Sequence, residues 1–363
     1  MNFLLLHEFH HVLGARFSEL NGEEMVADYG DVPAEYGALR DSAGVLDFSF
    51  RARICLTGSD RIRFLHGQIT NDVKKLQSGE GCYAAVTTAR GKMESDLNVF
   101  SLPDELLLDF EPGLTERVSQ RLEKFIVADD VQIVDAAPHY GLLTVQGPRA
   151  AEVVSAVGLL EKAPTRECAI AKIADGTLGE IYVARLRRIS QSGFDIFVPA
   201  ESLGVVADKL VAAAKSIGGR ACGWTAFELA RIEAGVPRFG ADMDETNLPM
   251  ECIETRAVSF NKGCYIGQEV LNRIHAMGHV TKELRGLRLV DDLGTLPKKG
   301  DKLFRDGKEI GYITSAVKSP ALNANIALGY VRREANQIGT ELTLPTPDGT
   351  SSVKIVELPF GAK

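Results

Sequence analysis

The sequence predicts an α+β fold that ends in a small β-barrel or β-sandwich. In the first two thirds of the chain, strand-like segments alternate with helical ones, without the regular spacing of a doubly wound sheet. After about Lys282 the chain contains only short strand-like segments and turns. Its 363 residues are too many for one compact core, so two or three domains are expected.

Apolar periodicity predicts the elements of the first 137 residues. A helix is expected over 8–20 and a second over 34–43, where Gly44 ends it. A third helix carries Phe64 and Leu65 and has Asp60 as its candidate N-cap, and a fourth covers about 114–126. The alternating segments predict strands at 53–57, 83–88, 96–102, 105–110 and 131–134.

The same pattern continues to about residue 281. Strands are predicted at 140–147, 181–186 and 194–198. Helices are predicted around Val153, over 202–217, over 225–234 and over 267–278, and each of the last three ends at glycine.

Composition limits the classes of function. Hydrophobic residues make up 45% and charged residues 25%, as in ordinary globular proteins. The net charge of −8 argues against direct nucleic-acid binding. The N-terminal apolar run is too short for a signal peptide, and no segment approaches a membrane span, so we expect a cytoplasmic protein with no membrane partner. Six scattered cysteines without a Cys-x-x-Cys pair favour neither a zinc site nor a disulfide framework.

The most informative segment surrounds Cys264. Gly263 and Gly267 flank this cysteine, and the predicted helix begins directly after it. The helix N-terminus and the neighbouring Lys262 would both favour the thiolate form of Cys264, which is the reactive form. A cysteine buried in a packed turn is the alternative interpretation. Phosphate-loop, dinucleotide-binding, nucleophile-elbow and zinc-protease motifs do not occur in the sequence.

Residues 262–269, Lys-Gly-Cys-Tyr-Ile-Gly-Gln-Glu, resemble the K-G-C-Y-x-G-Q-E motif of the YgfZ family. Arg-Ile-Glu-Ala-Gly-Val-Pro at 231–237 is similar to a segment shared by YgfZ proteins and the glycine-cleavage T-protein. Further T-protein-like segments lie at 44–49, 70–73, 143–148 and 319–331. The resemblance extends from about Gly14 to Phe360, and it identifies the chain as a member of the T-protein superfamily.

This resemblance implies three domains in a ring around a central channel that binds tetrahydrofolate or a related folate. The implied domains are residues 1–50 with 138–281, residues 51–137, and a β-barrel over 282–363. The resemblance implies catalytic roles for Cys264, Lys262 and Asp96. The folate-binding candidates, with Asp195 facing the pterin, are Asp195, Arg231, Tyr83, Tyr265, Gln268 and Glu269. Surface ion pairs are the alternative for Asp195 and Arg231, and a strand-core role is the alternative for Tyr83.

The chain also departs from the T-protein pattern. Where T-proteins carry two adjacent aspartates, this chain has Ser95 and Asp96, and the T-protein asparagine expected near 109–112 is missing. His275 and His279 are four residues apart, but no further ligand accompanies them, so we expect a surface pair and no metal site.

The leading hypothesis is a YgfZ-type, tetrahydrofolate-binding accessory protein for iron–sulfur cluster assembly or repair. In that role its partners would include iron–sulfur client enzymes, and it would support tRNA modification indirectly. The first alternative is a tetrahydrofolate-dependent aminomethyltransferase in which Asp96 orients a folate nitrogen. The second alternative is a folate-binding regulator without chemistry.

Overall fold

The computed structural model describes residues 1–189, 191–291, 293–347 and 349–361. The helices formed by these residues are α1 (His7–Val12), α2 (Val32–Asp41), α3 (Arg61–Gln68), α4 (Thr115–Glu123), α5 (Ala150–Ala156), α6 (Leu203–Ser216), α7 (Trp224–Glu233), α8 (Glu254–Ala257) and α9 (Gln268–Met277).

The strands of the first 221 residues are β1 (Arg16–Leu20), β2 (Glu23–Asp28), β3 (Gly44–Asp47), β4 (Ala52–Thr57), β5 (Gly81–Thr87), β6 (Met93–Ser101), β7 (Leu106–Phe110), β8 (Gln132–Asp135), β9 (Tyr140–Gln146), β10 (Ile170–Asp175), β11 (Gly179–Arg185), β12 (Gly193–Pro199) and β13 (Arg220–Ala221). The later strands are β14 (Lys282–Leu289), β15 (Lys302–Arg305), β16 (Lys308–Ser319), β17 (Ala324–Arg332), β18 (Glu341–Thr346) and β19 (Gly349–Val356).

The chain divides into two compact units. The first contains Met1–Thr87, Glu94–Glu228 and Ser259–Ile266. The second contains Thr88–Met93, Leu229–Val258 and the chain from Gly267 onward. The three-domain boundaries that the resemblance implies stay a prediction.

The N-terminal segment corrects the prediction of one helix over 8–20. Helix α1 ends at Val12, and Gly14 follows it with a φ of 82°. Strands β1 and β2 then pair through Asn21 and Gly22, whose φ angles are 54° and 87°. Asn-Gly with two positive φ angles is the preferred sequence of a two-residue hairpin turn. The turn residues therefore decide the structure here, and the apolar spacing did not indicate it.

One sheet of the first unit has six strands in the order β10-β11-β12-β9-β3-β13. Its strands are antiparallel except for β13, which runs parallel to β3. Residues of α5 and α6, such as Val153 and Leu210, share a buried apolar core with Phe194 and Ile196 of β12. Strand β10 was not predicted, because its alternation is interrupted by polar and small residues. This sheet positions Asp195 on β12, opposite Thr144 of β9.

The second sheet of the first unit has five strands in the order β5-β6-β7-β4-β8. Its core contains Leu56 and Leu108 of the sheet with Phe64 and Leu65 of α3. Helix α3 was predicted, but its capping was not as expected. The Asp60 side chain makes no capping hydrogen bond. Its carboxylate accepts a hydrogen bond from the amide of Asp130 at 2.9 Å instead.

The end of the second unit confirms the predicted β-barrel. Its six strands close in the order β14-β17-β16-β15-β18-β19, and β14 pairs with both β17 and β19. Alternate residues point inwards, as Leu287, Leu303, Ile313 and Val353 do, and each is fully buried. None of the helices in the described parts of the chain combines the length and apolarity needed to cross a membrane.

Candidate functional site

Asp96 lies on β6 and is partly buried. The Tyr83 hydroxyl donates a hydrogen bond to Asp96 Oδ2 over 2.6 Å. Asp96 Oδ1 is shielded from solvent and has no hydrogen-bond partner among the described residues. Burial and the nearby charge of Glu111 raise the pKa of Asp96 to about 6, although Tyr83 and Arg51 act in the opposite direction. Burial thus makes the protonated form of Asp96 more favourable than that of an exposed aspartate, and Oδ1 is left for a further hydrogen bond.

Ser95 faces the other side of the same strand. Neighbouring residues of a strand point to opposite faces of the sheet, and Ser95 is fully buried. Its hydroxyl donates to the backbone carbonyl of Asp96 at 2.8 Å. The residue at position 95 therefore takes no part in the face that carries the Asp96 carboxyl.

A buried network of ion pairs continues from this face. Arg51 donates from Nε to Asp109 Oδ1 at 2.8 Å and from Nη1 to Glu111 Oε1 at 2.5 Å. Arg188 Nη2 donates to Asp109 Oδ2 at 2.8 Å. Burial favours protonation of Asp109, but the two arginines outweigh it and hold its pKa well below the ordinary value. None of these four residues was predicted, since ion pairs between distant segments have no sequence signature.

Asp195, the predicted pterin-facing carboxylate, is part of this network. Arg188 donates to both of its oxygens, with distances of 3.1, 3.0 and 2.5 Å, and Asp195 is fully buried. Burial raises the pKa of Asp195 even though Arg188 opposes that rise. Any ligand that uses this carboxylate must therefore share it with the Arg188 guanidinium.

Arg231, the other predicted folate contact, lies in the second unit. It is almost fully buried and pairs with Asp242, and it also donates to Ser315 Oγ at 3.1 Å and to the Val236 carbonyl at 3.2 Å. Gln268 and Glu269 form the first turn of α9, after Gly267 with a φ of 90°. Glu269 is exposed at this position, where a helix N-terminus favours a negative charge.

The Lys262 ammonium anchors the segment that carries the cysteine. Its Nζ donates to the carbonyls of His66, Ile69 and Asn71, each at 2.7 Å. It also lies 4.8 Å from the centroid of the Tyr265 ring. Burial lowers the pKa of Lys262 to about 8. The three ammonium protons are thus bound by the last turn of α3 and the residues that follow it, and Lys262 fixes the 262–265 segment against this part of the first unit.

Cys264 is exposed on this anchored segment. Among the six cysteines it has the highest exposure class: Cys55 and Cys222 are buried, and the other three are partly buried. Tyr265 is buried, its hydroxyl has no partner among the described residues, and burial raises its pKa to about 12. The alternative of a buried, packed cysteine is therefore wrong for position 264.

The structure thus brings the predicted residues into separate groups. Tyr83 and Asp96 contact each other directly, and Lys262 contacts Tyr265. Asp195 is linked to Asp109 through Arg188. Within the described residues, no cluster of histidine, cysteine, aspartate or glutamate side chains has an arrangement that could hold a metal ion.

A six-stranded and a five-stranded sheet in the first unit and a closed six-stranded barrel at the end of the second define an α+β protein with a C-terminal β-barrel domain. Family models agree. The model described as the GCVT N-terminal domain matches residues 6–262, and the glycine cleavage T-protein C-terminal barrel domain matches residues 282–361. The chain belongs to the glycine cleavage T-protein family.

Individual relatives support this assignment over the full length of the chain. The aminomethyltransferase of Halalkalibacterium halodurans is 27% identical over 359 residues, which cover 98% of this chain and 96% of the relative. That of Thermosipho melanesiensis is 28% identical over 363 residues, with coverages of 99% and 97%. The crystal structure of the glycine cleavage system aminomethyltransferase T from Bartonella henselae has a TM-score of 0.88 at 24% identity, covering 99% of this chain and 98% of that one. These comparisons confirm the predicted superfamily, while the narrower YgfZ-type assignment stays a proposal.

Proposed function

We propose that this protein is a tetrahydrofolate-dependent aminomethyltransferase in which Asp96 exchanges a proton with a nitrogen of the bound folate. The observation that carries the proposal is the Asp96 carboxyl itself. It has a pKa of about 6, one oxygen held by Tyr83 and a second oxygen without a partner among the described residues. The match to proteins named aminomethyltransferase over nearly the whole chain supports the same activity.

The residues present fit a folate that presents N–H groups. Asp96 Oδ1 is a buried acceptor, and leaving a buried acceptor unpaired costs about 1–3 kcal/mol, which a ligand N–H would offset. Tyr83 holds the other oxygen and so fixes the direction of the carboxyl. When bound, tetrahydrofolate supplies two nitrogens that accept the carbon.

The overall reaction balances without an oxidant. The carbon–sulfur and carbon–nitrogen bonds of an aminomethyl group on a carrier dithiol break, and two carbon–nitrogen bonds form to the folate. The two hydrogens that leave the folate nitrogens end on the released thiol and on the released ammonia. A carboxyl with a pKa near 6 is suited to moving one of these protons at neutral pH.

The test is turnover with an aminomethyl-lipoyl carrier protein and tetrahydrofolate, with methylene-folate formation as the readout. We expect Asp96→Asn to lower kcat by about 10²–10⁴-fold, the usual contribution of a positioned acid or base. Asp104→Asn removes an exposed aspartate from a turn and serves as the matched control. Wild-type protein that binds the carrier and tetrahydrofolate without turnover would rule out the proposed reaction.

Asp195 and Arg231 stay proposed folate contacts. Because each belongs to a buried ion pair, an alanine substitution would remove the charge partner of Asp242, or one of the two partners of Arg188, and could cost up to about 3–5 kcal/mol of stability. Asp195→Asn and Arg231→Lys keep hydrogen bonding and separate ligand binding from folding. We expect both to weaken tetrahydrofolate binding in calorimetric titration, and wild-type affinity in both would exclude these contacts.

A second candidate is the YgfZ-type accessory role in iron–sulfur cluster assembly or repair, because Cys264 is exposed on an anchored segment that carries the family motif. This role predicts that Cys264→Ser abolishes the maturation of iron–sulfur client enzymes in cells that lack the native protein. Cys168→Ser, which changes a partly buried cysteine, is the control. Full maturation by Cys264→Ser, together with active glycine cleavage, would leave the aminomethyltransferase as the function.

A further inference from the structure

Six ionisable side chains form one connected group in the first unit, and the candidate acid–base residue Asp96 is one of them. Ion pairs and hydrogen bonds connect five of them, and electrostatic interactions connect the sixth, Asp96. Four members are carboxyl groups and two are guanidinium groups: Asp96, Asp109, Glu111, Asp195, Arg51 and Arg188. Arg53, which lies opposite Asp109 and is fully buried, also acts on Asp109 and Arg51 through its charge. Three positive charges thus face these four carboxyls, and the excess of negative charge favours keeping a proton on one of them.

Glu111 occupies a defined position in this group. It follows the last residue of β7 directly and is 5% exposed. Arg51 Nη1 donates to Glu111 Oε1 at 2.5 Å, while Nε and Nη2 of the same arginine donate to Asp109 at 2.8 and 3.2 Å. One guanidinium is therefore shared by hydrogen bonds between two carboxylates, and it acts on Asp96 through its charge.

The charges of this group act on the protonation of Asp96. The Tyr83 hydroxyl on β5 contacts it. In the antiparallel pairing of β6 and β7, Asn98 lies opposite Asp109, and continuing this register by two residues brings Glu111 opposite Asp96 on the same face. The charges of Glu111 and of Arg51, which precedes β4, both act on Asp96. Glu111 opposes ionisation of Asp96, whereas Arg51 and Tyr83 favour it. The Tyr83 hydroxyl donates to Asp96 Oδ2. The proton of the neutral carboxyl can therefore reside on Oδ1, the atom without a partner among the described residues.

We propose that Glu111 is a positioning residue for Asp96: its negative charge favours the protonated form of that carboxyl and so sets the pH range in which Asp96 gives or takes a proton. Glu111 is the second carboxylate of the site in space, although it is fifteen residues away in the sequence. The chemical role of this proton rests on the proposed function, while the coupling between the two carboxyls does not.

The test measures the protonation of Asp96 directly. Wild-type protein labelled with ¹³C at the aspartate carboxyl is titrated by NMR, and Asp96→Asn assigns the signal. For wild type we expect a midpoint of about 6, because burial raises the pKa of Asp96. Glu111→Gln and Glu111→Met both remove the charge at similar side-chain length, and each should lower the midpoint by about one pH unit, the interaction common in coupled carboxyl pairs.

Two controls separate charge from shape. Glu111→Asp keeps the charge and should keep the midpoint nearer to that of wild type than either neutral variant does. Glu152→Gln removes a negative charge from the exposed Arg149 pair on α5 and should leave the midpoint unchanged. Gln at position 111 can still accept a hydrogen bond from Arg51, so we expect this variant to fold. Thermal unfolding shows which of the two neutral variants is folded, and the titration is interpreted for that variant.

An unchanged Asp96 midpoint in a folded neutral variant would overturn the proposal, and so would a rise. Since the titration needs no substrate, this result is independent of whether the protein transfers aminomethyl groups. If turnover is found, the acidic limb of kcat/KM against pH should move down with the same variants. A merely structural role for Glu111 would lower activity at every pH without moving the limb.

Discussion

Replacing Asp96 by asparagine should make the protein more stable at neutral pH. The pKa of Asp96 rises on folding from its ordinary value of 3.8 to about 6, chiefly because the carboxyl is buried. A shift of this size corresponds to about 3 kcal/mol between the two protonation states. Because the folded-state pKa is raised, the folded protein binds the proton more tightly, and stability falls as pH rises from about 4 to 6. Asparagine carries no charge at any pH and avoids this cost.

The assay is urea-induced unfolding of wild type and Asp96→Asn at pH 4, 6 and 8. The other titrating groups are common to both proteins, so their contributions cancel in the difference between the two free energies of unfolding. We expect the two proteins to have similar free energies of unfolding at pH 4. At pH 8 the free energy of unfolding of the variant should exceed that of wild type by up to about 3 kcal/mol. Asparagine can still accept from Tyr83, so the hydrogen bond is not the cause. A difference that is independent of pH, or a variant less stable than wild type at pH 8, would refute the reasoning about the buried charge.

Three further predictions concern the same unit. Tyr83→Phe removes a hydrogen bond that favours the ionised form of Asp96, so its NMR titration midpoint should rise by about 1–2 pH units, and an unchanged midpoint would contradict the contact. Lys262→Met leaves three carbonyls without this donor and should lower the free energy of unfolding in urea by about 2–4 kcal/mol, partly offset because the variant no longer buries a charge. Cys264 should be alkylated first of the six cysteines in mass-spectrometric mapping, because it is exposed and burial raises the pKa of Cys82 to about 12; equal labelling of all six would disprove the exposed position.

Much of the fold follows from local sequence patterns. Strong alternation located β4, β6 and β12, and helical spacing located α4 and α6 to within a few residues. The first unit was mispredicted where turn chemistry outweighs apolar spacing, at Asn21 and Gly22. Local patterns did not show which strands pair with each other. The parallel pairing of the two-residue strand β13 with β3 depends on chain segments more than 170 residues apart, and no local pattern encodes it.

The site was predictable to a smaller extent. Tyr83 and Asp96 were both proposed from the resemblance, and the structure places them in contact. The expected effect of the Lys262 charge on the Cys264 thiol stays a prediction, whereas the anchoring of its three protons on backbone carbonyls was not indicated by the sequence. The sequence does not indicate that Arg188 pairs with Asp195. Arg188 lies between β11 and β12, and it reaches Asp195 only when these two strands pair.

The serine at position 95 initially counts against acid–base chemistry, since T-proteins carry a second aspartate there. Strand geometry weakens that argument, because residues 95 and 96 point to opposite faces of β6 and the Ser95 hydroxyl binds the backbone. A second carboxylate that acts on Asp96 must come from a neighbouring strand, and β7 is the strand that pairs with β6. Glu111 follows β7 and is the nearby charge that most opposes ionisation of Asp96. Loss of the aspartate at position 95 therefore does not leave Asp96 without a neighbouring carboxylate, and the activity assay, not that substitution, decides between the two functions.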